Sequence, residues 1–286
     1  PLLLLPSLPL HFHHSLSSRV VAMALRPLTQ AISDCPKTAR ILELAWKYRA
    51  VANNFRFEPI QPHHMPDLMS LSKGFFEDQT LTSATGSSIE NCSKGMEYVF
   101  AYSIAAQSVV NKNEICYENA TNKPIGFRLV NPAYRNPKMA PFSVPTPTLA
   151  KGEISLFSPL DETWAKIWDR FPTEDVIMKG ELIYVNREHR KKGIVSVWLD
   201  YDMHFPTMAE QSGANIYACL STERSTKGYY TRHGYTESIS SPLHVVNTSG
   251  LPAPLPQGDI RVFTTDMRTS MAMNVKPVWD WMKAGN

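Results

Sequence analysis

The chain has 286 residues, of which 43% are hydrophobic and 19% charged, with a formal net charge of +3. These values fall in the range of a globular protein able to bury a sizeable core. So mild a charge argues against a nucleic-acid partner, and no stretch reaches the roughly 18 apolar residues of a membrane span.

Residues 1–10 are apolar but have no basic region ahead of them, and Arg19, Arg26 and several serines precede the first acidic residue, Asp34. A signal peptide, a mitochondrial presequence and an extension upstream of a start at Met23 compete for this segment. Two prolines in the apolar run and the long distance to Ala22-Met23-Ala24 weaken the first. The expectation is a disordered extension over 1–37, in which His11, His13 and His14 are incidental, followed by one domain over 38–286. The compartment expected is the cytoplasm, with the mitochondrion as the alternative. Cys35, Cys92, Cys116 and Cys219 are widely separated and form no Cys-x-x-Cys pair. That argues against a zinc site, so no metal is expected, and it fits reduced thiols in an intracellular protein. Sequons at Asn91, Asn119 and Asn247 matter only in a secreted chain.

Ile41, Leu44, Ala45 and Tyr48 predict a short helix over Thr38 to Ala50. Phe55 to Ile60 alternates as a strand. Met65, Leu68, Met69, Ser72 and Phe76 make one helical face, and Ser87-Ser88-Ile89-Glu90 has a capping-box pattern opening a helix toward Ser108. Glu114 to Glu118 and Ile125 to Val130 predict a hairpin around Thr121-Asn122-Lys123-Pro124. Asn131 to Thr148 holds five prolines and is expected to be irregular, as a surface loop or as a wall beside an acceptor site. Leu160 to Phe171 predicts a helix burying Trp164, Ile167 and Trp168. A buried strand follows at Leu182 to Val185, then a helix over Val195 to Ser212, a strand over Asn215 to Leu220, a helix over Thr222 to His233 and a strand over Tyr235 to Ser240. A Pro/Gly-rich link, Ser249 to Gly258, precedes a strand pair within Ile260 to Val275. This order predicts an α/β (α+β) fold, a mixed central β-sheet with helices on both faces.

The stretch Gly180 to Trp198 carries the most chemistry. A strand feeding a helix through a tight turn aims backbone N–H groups, with the helix dipole behind them, at one spot suited to phosphate. Gly193 lets a phosphate approach the backbone, and Arg187, Arg190, Lys191 and Lys192 add positive charge.

Arg190-Lys191-Lys192-Gly193-Ile194-Val195 resembles the Arg/Gln-x-x-Gly-x-Gly/Ala signature of the GNAT superfamily of N-acetyltransferases, with Val195 where that family has Gly or Ala. Arg56 to Leu81, Leu156 to Gly180 and Asn215 to Tyr235 are similar to segments of its invertebrate arylalkylamine N-acyltransferase-like branch, so the resemblance covers about 55–276. It implies the acyl-CoA N-acyltransferase fold and acetyl transfer from acetyl-CoA to a primary amine, a small arylalkylamine, directly within a ternary complex. It also implies that Arg190 to Val195 hold the pyrophosphate and that Tyr184 and Val185 offer backbone groups to the pantetheine arm. In the family's terms Tyr230 is the acid for the departing thiolate, while Thr226 and Thr222 align with hydroxyls tied to proton relay and amine binding. Tyr230 could equally pack on a helix face, and the threonines could cap a helix start.

Acyl transfer to an amine needs a neutral amine, yet such amines have a pKa of roughly 10, so a base is required. The branch's glutamate falls on Gln79 in Phe75-Phe76-Glu77-Asp78-Gln79-Thr80-Leu81, and an amide cannot take that proton. Glu77, Asp78 and Glu181 are the substitutes, each of which could also be a solvated charge. Phe75 and Phe76 are expected to line the acceptor pocket. His63, His64 and His189 carry no supporting pattern. An acyl-CoA-binding protein with lost or reduced catalysis is the alternative.

Overall fold

Alternating residues build β1 (Phe55–Pro59), and largely buried runs build β2 (Glu114–Glu118) and β3 (Pro124–Tyr134), in a computed structural model of the chain. It describes residues 49–77, 88–143, 162–201, 205–221, 227–232, 234–242 and 259–268. The Thr38 to Ala50 helix therefore lies largely outside the described residues, although 49–54 are helical. Then come β4 (Val176–Val185), β5 (Ile216–Ser221), β6 (Thr236–Pro242) and β7 (Asp259–Asp266). The seven form one mixed sheet in the order β1-β2-β3-β4-β5-β7-β6, in which β4 and β5 run parallel and the other neighbours antiparallel. Any second strand beyond β7 falls outside the described residues.

On one face lie α1 (Met65–Glu77) and α2 (Ile89–Ala106). Their apolar stripes bury Leu68, Leu71, Phe75, Phe76, Met96 and Phe100 against Phe127, Leu129 and Tyr184 of β3 and β4. Each fully buried side chain of this size contributes about 1.5–3 kcal/mol. The same face continues under the short α3 (Ile167–Arg170), where Trp164 and Ile167 pack on Ile177, Ala218 and Val262. Trp168 is only half-buried, because the Arg135 guanidinium covers its ring at 5.0 Å. The opposite face carries α4 (Ile194–Ser196), which continues as a π-helical turn over Val197–Tyr201, then α5 (Phe205–Ser212) and α6 (Lys227–Arg232). The expected helix over Val195 to Ser212 thus takes a π-helical turn at Val197–Tyr201, and 202–204 lie outside the described residues.

Three further expectations change. The cap of α2 is Ser88, whose Oγ accepts from the Asn91 N–H at 3.2 Å, and Glu90 instead meets Lys73 of α1 at 3.3 Å. β4 begins at Val176, ahead of the expected Leu182. β3 runs on through Asn131–Tyr134 despite Pro132, with Pro132 opposite Met178. The Arg135 N–H bonds the Asp175 carbonyl at 2.8 Å, so by alternation Pro132 turns its nitrogen and carbonyl away from β4. Beyond Arg128 no β2 residue pairs with β3, so the missing donor falls on a free edge, and the Pro132 carbonyl there accepts from Tyr102 Oη at 2.9 Å.

Candidate active site at the seam of the sheet

β4 and β5 pair over Met178↔Tyr217, Lys179↔Ala218 and Gly180↔Cys219 and then part. Leu182 to Val185 keep their β3 partners, and none of Glu181 to Val185 has a β5 partner among the described residues. The last rung needs glycine: a Cβ on Gly180 would stand 2.5 Å from Tyr217 Oη and 2.7 Å from Cys219 Sγ. These two β5 side chains cross the seam at a place only glycine leaves open.

A bulge sits at the same point. Leu129 faces Leu182 and Val130 faces Gly180, which leaves Glu181 as the extra residue. On β3, Val130 like Pro132 turns its backbone groups away from β4, beyond the end of the β2 pairing, and its N–H donates to Asn113 Oδ1 at 2.5 Å. Asn113 Nδ2 donates to the Ser103 carbonyl at 2.8 Å and to Asn131 Oδ1 at 3.1 Å, and Asn131 Nδ2 donates to Ser103 Oγ at 2.9 Å. This buried amide cluster satisfies the β3 edge where β2 no longer pairs.

Backbone alternation decides which groups look into the parting. The Asn186 N–H bonds the Ile125 carbonyl at 2.8 Å, so Tyr184 aims its own backbone groups at β3, while Ile183 and Val185 aim theirs at the open side. Of the expected backbone pair, Val185 therefore faces the gap, and its carbonyl accepts from Arg190 Nε at 2.9 Å. Tyr184 contributes its ring, packed edge-on to Phe75 at 5.9 Å. Phe75 and Phe76 are both buried, and they fasten α1 to the sheet rather than standing at a surface.

The basic turn lies at the far end of the open edge. Arg187–His189 form a short 3-10 turn, Lys191 has φ 62° and Gly193 φ 90°, and Gly193 N-caps α4. The Val197 N–H is bonded to the Gly193 carbonyl at 3.0 Å, so the N–H groups just before it belong to the first turn, where no intrahelical acceptor exists. Arg187, Arg190, Lys191 and Lys192 are exposed around it, Ile194 is buried and Val195 half-buried. His189 is buried beneath the turn, with Nε2 3.2 Å from Glu118 Oε1, which makes it a structural residue. His64 is likewise buried and accepts the Gln61 N–H on Nδ1 at 3.0 Å. Behind the turn, Arg128 is fully buried and donates to the Trp198 carbonyl at 2.8 Å, the Lys112 carbonyl at 2.9 Å and Glu114 Oε2 at 3.2 Å. Trp198 Nε1 donates to that carboxylate at 3.0 Å, which locks the π-helical turn to β2 and β3.

At the near end, Tyr230 stacks on Phe263 at 4.9 Å and its phenol bears on the Cys219 thiol, beside Gly180. Burial pushes that thiol up to about 12, so it stays protonated near neutral pH. On the sheet's other face Glu181 is half-buried, 2.8 Å from Lys179 Nζ, whose ammonium lies 4.8 Å from the Trp164 ring centroid. Burial, and next the Glu181 charge, hold the Tyr102 phenol well above its ordinary value. Glu77 is exposed at the end of α1, while Asp78, Gln79, Thr222 and Thr226 lie outside the described residues. The structure thus brings Tyr230, Glu181 and Val185 to one seam, with the basic turn at its far end. Lys179, Cys219, Asn113 and Arg128 went unread in the sequence. The available signals were the alternation of Tyr217 and Cys219 on β5 and the Lys-Gly-Glu triplet flanking a glycine that packing requires.

No sequence-family profile matches the chain, and no curated protein matches it in sequence. Solved structures do. The C-terminal condensation domain of Ebony, in complex with beta-alanyl-dopamine, superposes with a TM-score of 0.55 at 15% identity, over 74% of this chain and 98% of its own. Arylalkylamine N-acetyltransferase 2 from Aedes aegypti gives 0.53 at 15% identity, over 75% and 99%. Drosophila melanogaster polyamine N-acetyltransferase, which forms N-acetylagmatine, gives 0.51 at 13% identity, over 74% and 100%. The chain has the fold of the GNAT acetyltransferases.

Proposed function

We propose that this chain is an acyl-CoA-dependent N-acyltransferase that moves an acetyl group from acetyl-CoA to a primary amine, a small arylalkylamine, within a ternary complex. The observation that supports this best is the coincidence of three features on β4: its parting from β5 after Gly180, the bulge at Glu181 and the basic turn beyond Val185. From Glu181 to Val185 the open edge runs about 13 Å, along which the Ile183 and Val185 backbone groups pair with the pantetheine amides as an added strand would. Arg190, Lys191 and Lys192 and the N–H groups from Gly193 to Val195 bind the pyrophosphate.

The neutral amine nitrogen attacks the thioester carbonyl, the carbon–sulfur bond breaks, the sulfur takes a proton from Tyr230 beside Cys219, and the proton shed by the new amide nitrogen restores the phenol. The proton lost by the ammonium goes to Glu181, the carboxylate at the bulge, with Glu77 as the second candidate. Amine binding and proton relay are assigned to Thr222 and Thr226, which lie outside the described residues. No helix among the described residues is long and apolar enough to cross a membrane. A catalytically silent acyl-CoA-binding protein is the competing reading, favoured by Gln79 and by the pairing of Glu181 with Lys179.

Release of free CoA thiol from acetyl-CoA, over an amine panel and a pH series, separates the two. Amine-dependent release by the wild-type chain is expected, with a rate that falls below the pKa of the base. CoA binding without release, and release only by Gln79→Glu, would make it a binding protein. Absence of CoA binding overturns both readings.

A further inference from the structure

Lys179 is the one side chain whose chemistry duplicates that of the expected acceptor: a primary ammonium, next to the glycine where the strands part. It is held as a bound amine would be held. Its Nζ lies 2.8 Å from Glu181 Oε1 and 4.8 Å from the Trp164 centroid, and both members of the pair are about four-fifths buried, at 19% and 22% exposure. Trp164 is itself buried, and its position is set by packing on Ile177 and Ala218 rather than by the lysine. A carboxylate and an indole face converging on one point are groups that recognise an ammonium ion.

We propose that Glu181 and Trp164 form an ammonium-binding site, and that Lys179 occupies it as an internal competitor that sets acceptor choice. The proposal rests on the acetyltransferase reading for its consequence, but the site itself does not depend on it. An intramolecular ammonium competes at an effective concentration in the millimolar range, so an external cation gains little there. Acceptors bound by an apolar ring are therefore favoured over diamines, whose second ammonium finds its anchor already taken.

The test uses the full chain and three variants. Lys179→Met keeps the apolar stem and removes the charge, Lys179→Arg keeps a cation, and Lys179→Met/Glu181→Gln removes the anchor as well. Calorimetric titration with tetramethylammonium, which cannot be acylated, reads the site without any turnover. Lys179→Met should bind it about tenfold more tightly than wild type, while Lys179→Arg and the double variant show no gain. In thiol release, the KM for 1,4-diaminobutane relative to that for 2-phenylethylamine should fall by about the same factor in Lys179→Met. Unchanged tetramethylammonium affinity in a folded Lys179→Met, or an equal gain in Lys179→Arg, overturns the proposal. Tighter tetramethylammonium binding with no acetyl transfer by any variant leaves the site standing and removes the acetyltransferase reading instead.

Discussion

Replacing Arg128 by Met tests how the phosphate turn is held. The guanidinium is fully buried and gives three hydrogen bonds, to the Trp198 and Lys112 carbonyls and to Glu114 Oε2, at 2.8, 2.9 and 3.2 Å. Methionine fills much of the volume but strands a carboxylate that is 8% exposed, with the Trp198 indole N–H still donating to it. Removing one partner of a buried pair costs about 3–5 kcal/mol, because the remaining charge is left uncompensated. Adding Glu114→Gln removes that charge while an amide oxygen still accepts from Trp198, so the double variant should recover at least about 2 kcal/mol relative to the sum of the singles. Urea unfolding of the four proteins, followed by far-ultraviolet circular dichroism, gives the cycle. Because Arg128 also grips the π-helical turn through the Trp198 carbonyl, CoA affinity should fall in Arg128→Met. Single-variant losses that add to within about 0.5 kcal/mol would refute the coupling. So would an Arg128→Met loss below about 1 kcal/mol.

Gly180→Ala places a methyl 2.5 Å from Tyr217 Oη and 2.7 Å from Cys219 Sγ, and should cost about 1–3 kcal/mol in a denaturant titration. A neutral result would show that the Tyr217 and Cys219 side chains have room to give way. Tyr230→Phe keeps the stack on Phe263 and should lower kcat about 100-fold with the KM for acetyl-CoA unchanged, so an unaltered kcat removes Tyr230 as the acid. Burial holds the His64 imidazole below its ordinary 6.5, so its contribution is full above that value and is lost as pH falls toward the lowered one. Stability followed from about pH 7 to about pH 5 should therefore drop more steeply in wild type than in His64→Asn, whose amide oxygen can replace Nδ1 as the acceptor. Parallel curves would show that this residue does not titrate on unfolding.

What could be read from the sequence depended on whether the determining contacts are local. α1 and the hairpin at Asn122, which takes φ 56°, declare themselves through periodicity and turn chemistry, and the basic turn through its spacing around Gly193. Pro132 misled because a proline in a strand is tolerated only when its nitrogen falls on an unpaired edge, and that depends on where β2 ends. Arg128 reads as a solvent-facing strand residue until Glu114 and Trp198, distant in sequence, are placed around it. Glu181 was found by its place on β4, but its partner was not. A Lys and a Glu two apart are unremarkable until the bulge and Trp164 gather them. The capping pattern at Ser87 to Glu90 was legible as a helix start, yet the choice between two adjacent serines was decided by geometry of a single residue's offset.

The parting of β4 from β5 also has a mechanical side. Ladder bonding across the middle of the sheet is three residue pairs long, so β1 to β4 and the β5, β7 and β6 trio are two leaves on a narrow spine. Side-chain layers carry the load elsewhere: the Tyr217, Cys219, Met178 and Val130 cluster on one face, and Ile177 with Ala218 on the other. A thread-like ligand laid between the leaves adds rungs where the spine has none. Its binding energy then appears as resistance to opening, and amide exchange in both leaves should slow together once the gap is filled.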